Sequence, residues 1–143
     1  MHVAQFNIAE AIAPMDSPVM ADFINNSERI NALADESPGF VWRFTDEDGG
    51  EAYSVRAFAS DFILVNMSVW TDRDSLFKFV YESGHLEVFR RKKEWFAKMP
   101  KMHMVLWYVE PGHEPTIQEG KKRLEYLQEN GESEYAFSFK SKF

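Results

Sequence analysis

Asn66 and Ser68 sit two residues apart inside an otherwise apolar run, Phe62-Ile63-Leu64-Val65-Asn66-Met67-Ser68-Val69-Trp70. The run has no breaker and is rich in β-formers, so it reads as a strand. Side chains alternate across a strand. Ile63, Val65, Met67 and Val69 therefore form one apolar side, and Leu64, Asn66, Ser68 and Trp70 form the other. An amide, a hydroxyl and an indole on one face can orient a small oxygenated molecule. They can equally be satisfied inside an interface between chains. Residues 3–8 repeat the pattern, with Gln5 and Asn7 on one side and Ala4, Phe6 and Ile8 on the other.

The titratable candidates are few. His85 follows Gly84 at a predicted helix junction and faces inward with Phe89. It suits a general base, an axial heme ligand or a structural cap on the preceding helix. His103 lies in an apolar strand and His113 in a proline-flanked turn, where a bond to its own turn is expected. Neither has a second ligand at metal spacing, so no structural metal is expected. Arg43 and Arg56 suit a substrate carboxylate, although Arg43 could instead pair with the acidic turn Asp46-Glu47-Asp48-Gly49-Gly50-Glu51. That turn lacks the spacing of an EF-hand loop and reads as solvated. The cations Arg90-Arg91-Lys92-Lys93 spread round a helix instead of forming one patch. There is no dinucleotide fingerprint, nucleophile elbow, P-loop or zincin motif. The absence of cysteine excludes disulfides, thiolate metal sites and a cysteine nucleophile.

The 143 residues suit one domain over 1–143, with 45% apolar and 27% charged residues, as in ordinary globular chains. A net charge of −7 argues against nucleic acid or an anionic membrane as partner. No signal peptide and no apolar run of spanning length is present, so a cytoplasmic location is expected. The 13 Phe, 5 Tyr and 4 Trp suit a Phe-rich core, an aromatic pocket or a buried oligomer interface.

These residues must be positioned by a β-α-β-β-α-(α)-β-α-β succession. Ser17 and Pro18 start a first helix that ends at Ser37-Pro38-Gly39. A second strand covers 40–45. Thr71 with Asp74 resembles a capping box before a second helix. A strand covers 102–110. Thr116 caps a last helix ended by Asn130-Gly131. Tyr135, Phe137 and Phe139 alternate as a short terminal strand or arm. The first six main elements match the ferredoxin-like split βαβ pattern of α+β proteins, an antiparallel sheet with helices on one face. The open face of such a sheet needs a cover. Pairing with a second copy is the simplest one, which predicts a homodimer.

Five segments carry a resemblance to a known family: 4–9, 31–43, 65–70, 85–96 and 106–116, the last reading Leu106-Trp107-Tyr108-Val109-Glu110-Pro111-Gly112-His113-Glu114-Pro115-Thr116. They look like the bacterial family called domain of unknown function 3291, over nearly the whole chain. The resemblance implies a dimeric α+β barrel, in a superfamily that includes antibiotic-biosynthesis-type monooxygenases and heme proteins. It implies a cavity between the sheet and nearby helices. On strand parity, Gln5, Asn7, Trp42, Ser68, Trp70 and Trp107 are expected toward substrate there, with Asn66 and His85 as catalytic candidates. It implies no established reaction. Two readings follow. One is a cofactor-free monooxygenase acting on a small aromatic or oxygenated metabolite. The other is a non-catalytic small-molecule binder or structural dimer, with heme binding as a third case.

Overall fold

The computed structural model describes residues 1–10, 17–44, 63–82 and 103–139. The acidic turn at 46–51, Arg56, His85 and the cations at 90–93 lie outside the described residues. The described elements are β1 (His2–Glu10), α1 (Pro18–Glu36), β2 (Phe40–Arg43), β3 (Ile63–Trp70), α2 (Arg73–Glu82), β4 (Met104–Val109) and α3 (Ile117–Asn130).

The strands form an antiparallel sheet in the order β2-β3-β1-β4. This is the split βαβ order, so the fold is α+β and ferredoxin-like. The two strands carrying polar alternation, β1 and β3, are the central pair. Their register sets Gln5 opposite Ser68 and Asn7 opposite Asn66. Directly paired residues share a face, so the four polar side chains meet.

The other face of the sheet is apolar. Ala4, Phe6, Val65, Met67, Val69, Val105 and Trp107 pack there against Ile117, Leu124 and Leu127 of α3. On the polar side, Val3, Trp70 and Leu106 pack against Ile30 and Ala34 of α1, Leu76 and Phe79 of α2, and Phe137. The two helices of the split βαβ unit thus share one face, as the pattern predicts. The chain adds α3 on the other. The expectation that a second copy must cover an open sheet face changes accordingly. Ala4, Phe6, Met67, Val105 and Trp107 are already at 0% exposure within one chain.

Local chemistry fixes these elements. Gly120 lets α3 approach the sheet: a Cβ there would lie 2.4 Å from the Phe6 ring. Thr116 caps α3 by accepting from the Glu119 N–H at 3.1 Å. Ser17 occupies the cap position of α1 without a side-chain capping bond, and Pro18 begins the helix. At α2 the cap is Asp72, which accepts from the Ser75 N–H at 2.7 Å. The helix starts at Arg73, so Asp72 and not Thr71 reaches the third helical N–H. That bond chiefly holds the Asp72 carboxyl below its usual value. Gly39 has φ +89°, and a Cβ there would sit 2.4 Å from that of Ser75. Of the alternatives expected for the terminal segment, the described residues form an arm with one antiparallel bridge, Leu106 with Phe137.

Candidate functional site

Gln5 is the hub of a side-chain network on the α1/α2 face. Its Nε2 donates to Ser68 Oγ at 2.9 Å and to Asn66 Oδ1 at 2.5 Å. Asn7 Nδ2 donates to Gln5 Oε1 at 2.8 Å and, at 3.4 Å, to Asn66 Oδ1. Trp70 Nε1 donates to Ser68 Oγ at 3.0 Å. Gln5, Ser68 and Trp70 are buried, Asn7 is half-buried and Asn66 is exposed. A buried amide or hydroxyl costs free energy unless it is paired, which explains why these groups bond to one another. The network runs from a buried indole to a solvent-facing amide, so its exposed end has a fixed orientation.

Aromatic rings hold the buried end. Trp70 stacks on Phe79 of α2 with ring centroids 5.2 Å apart and meets the edge of Phe40 at 5.4 Å. Arg43 of β2 pairs in register with Ser68 and shares its face. Its Nη1 bonds Asp35 Oδ1 at 2.9 Å and the Asn31 carbonyl at 3.2 Å, both on α1. The guanidinium therefore turns to α1 for its partner. Its Nε is buried and has no partner among the described residues.

Five of the residues singled out from the sequence come together here: Gln5, Asn7, Asn66, Ser68 and Trp70. Trp42 and Trp107 do not. The β2 register shifts between Phe40 and Trp42, which pairs Trp42 with Val69 on the α3 side. Trp107 pairs with Ala4 on that same side. Alternation assigns faces within a strand, but only pairing sets the phase between strands. Trp107 Nε1 donates to Glu119 Oε2 at 2.8 Å, and Glu119 Oε1 meets His113 Nε2 at 2.8 Å. The His113 imidazole thus ties to α3, while its backbone N–H donates to the Glu110 carbonyl of its own turn at 3.0 Å, as expected. Glu119 was not singled out, although Thr116-x-x-Glu119 has capping-box spacing. His103 is exposed just before β4. His85, the candidate base or heme ligand, lies outside the described residues. Among the described residues no cluster of three or more His, Asp or Glu could hold a metal ion, and no helix is long and apolar enough to cross a membrane.

The chain belongs to the family described as a domain of unknown function, DUF3291, which matches residues 2–143. No curated protein matches it. Among solved structures it is similar to SnoaB, a cofactor-independent oxygenase from Streptomyces nogalater. The TM-score is 0.53 at 20% identity, covering 80% of this chain and 98% of SnoaB. An asparagine-to-alanine variant of SnoaB gives a TM-score of 0.54 at 19% identity, with the same coverage. A conserved protein from Methanosarcina mazei Go1 gives 0.53 at 14% identity, covering 77% of this chain and 94% of that one. At these identities the likeness establishes the shared fold.

Proposed function

We propose that this member of the DUF3291 family is a cofactor-free oxygenase acting on a small aromatic or oxygenated metabolite held against the Gln5, Asn7, Asn66 and Ser68 face. The observation that carries the reading is the exposed Asn66 amide, whose Oδ1 is fixed by Gln5 while its Nδ2 is left to a ligand. The similarity in fold to SnoaB, described as a cofactor-independent oxygenase, supports it. In such a reaction an activated CH2 group loses two C–H bonds to dioxygen. One oxygen atom becomes the new carbonyl and the other leaves as water, so no external reductant is needed. The substrate must first lose a proton. Asn66 donates to the oxygen on which the resulting charge collects, and fixed donors at developing charge are effective catalysts. None of Gln5, Asn7, Asn66 and Ser68 is a proton acceptor near neutral pH. His85 remains the candidate acceptor from the sequence. Action as a homodimer in the cytoplasm belongs to the same proposal. It rests on the family resemblance and on the acidic, cysteine-free composition.

Oxygen uptake with a panel of polyhydroxyaromatic and 1,3-dicarbonyl compounds tests the reading. The expected result is one dioxygen consumed per substrate without added flavin, metal or reductant. Asn66→Ala should lower kcat/KM by about 10²-fold, the usual cost of one such donor. Binding of these compounds without oxygen uptake would replace the enzyme by a non-catalytic binder.

A further inference from the structure

The hydrogen-bonding groups left over around Ser68 are all donors. Ser68 Oγ accepts from both Gln5 Nε2 and Trp70 Nε1. A hydroxyl has two lone pairs and one proton, so with both lone pairs occupied the proton can only be given away. Ser68 Oγ donates no hydrogen bond among the described residues. Asn66 Oδ1 accepts from Gln5 and Asn7, which leaves Nδ2 as the free end of that amide. Gln5 Nε2 is committed to Asn66 and Ser68, and its Oε1 to Asn7. Arg43, in register with Ser68, contributes an Nε without a partner among the described residues. The unpaired acceptor of the network, Asn7 Oδ1, belongs to the residue opposite Asn66, two residues along β1 from Gln5 and away from Ser68.

We infer that Ser68 and Asn66 together donate to an ionised enol or phenol oxygen of the ligand, and that Gln5 and Trp70 are positioning residues that aim the Ser68 hydroxyl. Residues two apart on a strand have side chains about 7 Å apart on the same face, a span that one or two oxygens on a ring can bridge. Arg43 on that face pairs its charge with Asp35 through Nη1, and its Nε–H remains a donor without a partner among the described residues. Two donors converging on one oxygen favour an anionic oxygen over a neutral hydroxyl. The inference rests on the proposed site and is independent of the oxygen chemistry.

The test is a spectrophotometric pH titration of para-nitrophenol, whose phenol and phenolate absorb at different wavelengths, free and bound to the intact protein. The expected result is saturable binding with the probe's ionisation constant raised about tenfold or more, one pKa unit downward. Asn66→Asp retains the acceptor that Gln5 needs and removes the donor, so it should abolish the shift. Ser68→Ala should remove most of it, and Ser68→Thr should restore it. Trp70→Phe retains an aromatic ring against Phe79 but loses the N–H. It should reduce the shift about threefold while changing affinity for the neutral phenol less than twofold, a split that a purely structural role would not produce. Should Ser68→Ala fail to fold, Asn66→Asp at an exposed position carries the test. Absence of saturable binding, an unshifted ionisation, or a full shift retained in Asn66→Asp would overturn the inference. A shift without oxygen uptake would leave the donor site standing and remove the oxygenase. Oxygen uptake without a shift would do the reverse.

Discussion

At the scale of single residues, Gln5 is the side chain on which the polar face depends. It supplies partners to Asn7, Asn66 and Ser68 at once. Gln5→Leu leaves buried groups unsatisfied and should cost about 1–3 kcal/mol in urea unfolding. Gln5→Leu combined with Ser68→Ala should cost less than the sum of the two single changes, because the bond between them is lost only once. Strict additivity of the two would contradict the hydrogen-bond explanation. Asp72 gives a pH-dependent case. Its carboxyl is held below the usual value, chiefly by the Ser75 N–H. A lowered folded value contributes stability above the ordinary carboxylate range near pH ~4, and that stability is lost as the pH falls through the folded value. Asp72→Ala should therefore cost about 1 kcal/mol at neutral pH, a typical capping loss. Thermal unfolding curves of the two proteins should converge in acid. Alternation within β1 and β3 made Gln5, Asn7, Asn66, Ser68 and Trp70 legible from the sequence. Trp42 was not, because a register shift in β2 leaves no local signature that counting can find.

At the scale of elements, α3 and β1 are joined by one close approach. Gly120 sits where a Cβ would meet the Phe6 ring. Helix propensity alone makes Gly120→Ala stabilising by about 1 kcal/mol. Overpacking makes it destabilising by about 1–3 kcal/mol. The geometry predicts the second sign, with Phe6→Leu partly rescuing the variant, and guanidinium unfolding decides between them. Thr116 and Gly131 were readable as the ends of α3, since caps are written in neighbouring residues. The face on which α3 lands was not readable. That depends on where the ring of a residue more than a hundred positions away is placed. The alternation of Tyr135, Phe137 and Phe139 likewise left a short strand or an arm open. Among the described residues only Phe137 bridges to β4, and Phe139 instead contacts Phe77 and Tyr81 on α2.

At the scale of the whole molecule, the sheet separates two jobs. The α3 face is closed and apolar, with Trp107 pinned to Glu119. The α1/α2 face carries the amide and hydroxyl network that ends at exposed Asn66. The split βαβ order was legible from the succession of elements. The closure of the apolar face by the chain's own last helix was not, because a sequence does not say which of two faces a following helix will choose. Substitution of exposed Asn66 should consequently act on binding and turnover with little effect on stability, while substitutions on the α3 face act on stability alone. The most direct measurement is oxygen consumption by the wild type, Asn66→Asp and Trp107→Phe with the compound of the panel that is turned over fastest. Asn66→Asp should lose at least about tenfold in kcat/KM, consistent with removal of a charge-stabilising donor, while Trp107→Phe stays within about twofold of the wild type, as expected of a site outside the reaction. Equal losses in the two variants, or no oxygen consumption by the wild type on any compound, would contradict the assignment of the polar face as the site of an oxygenase.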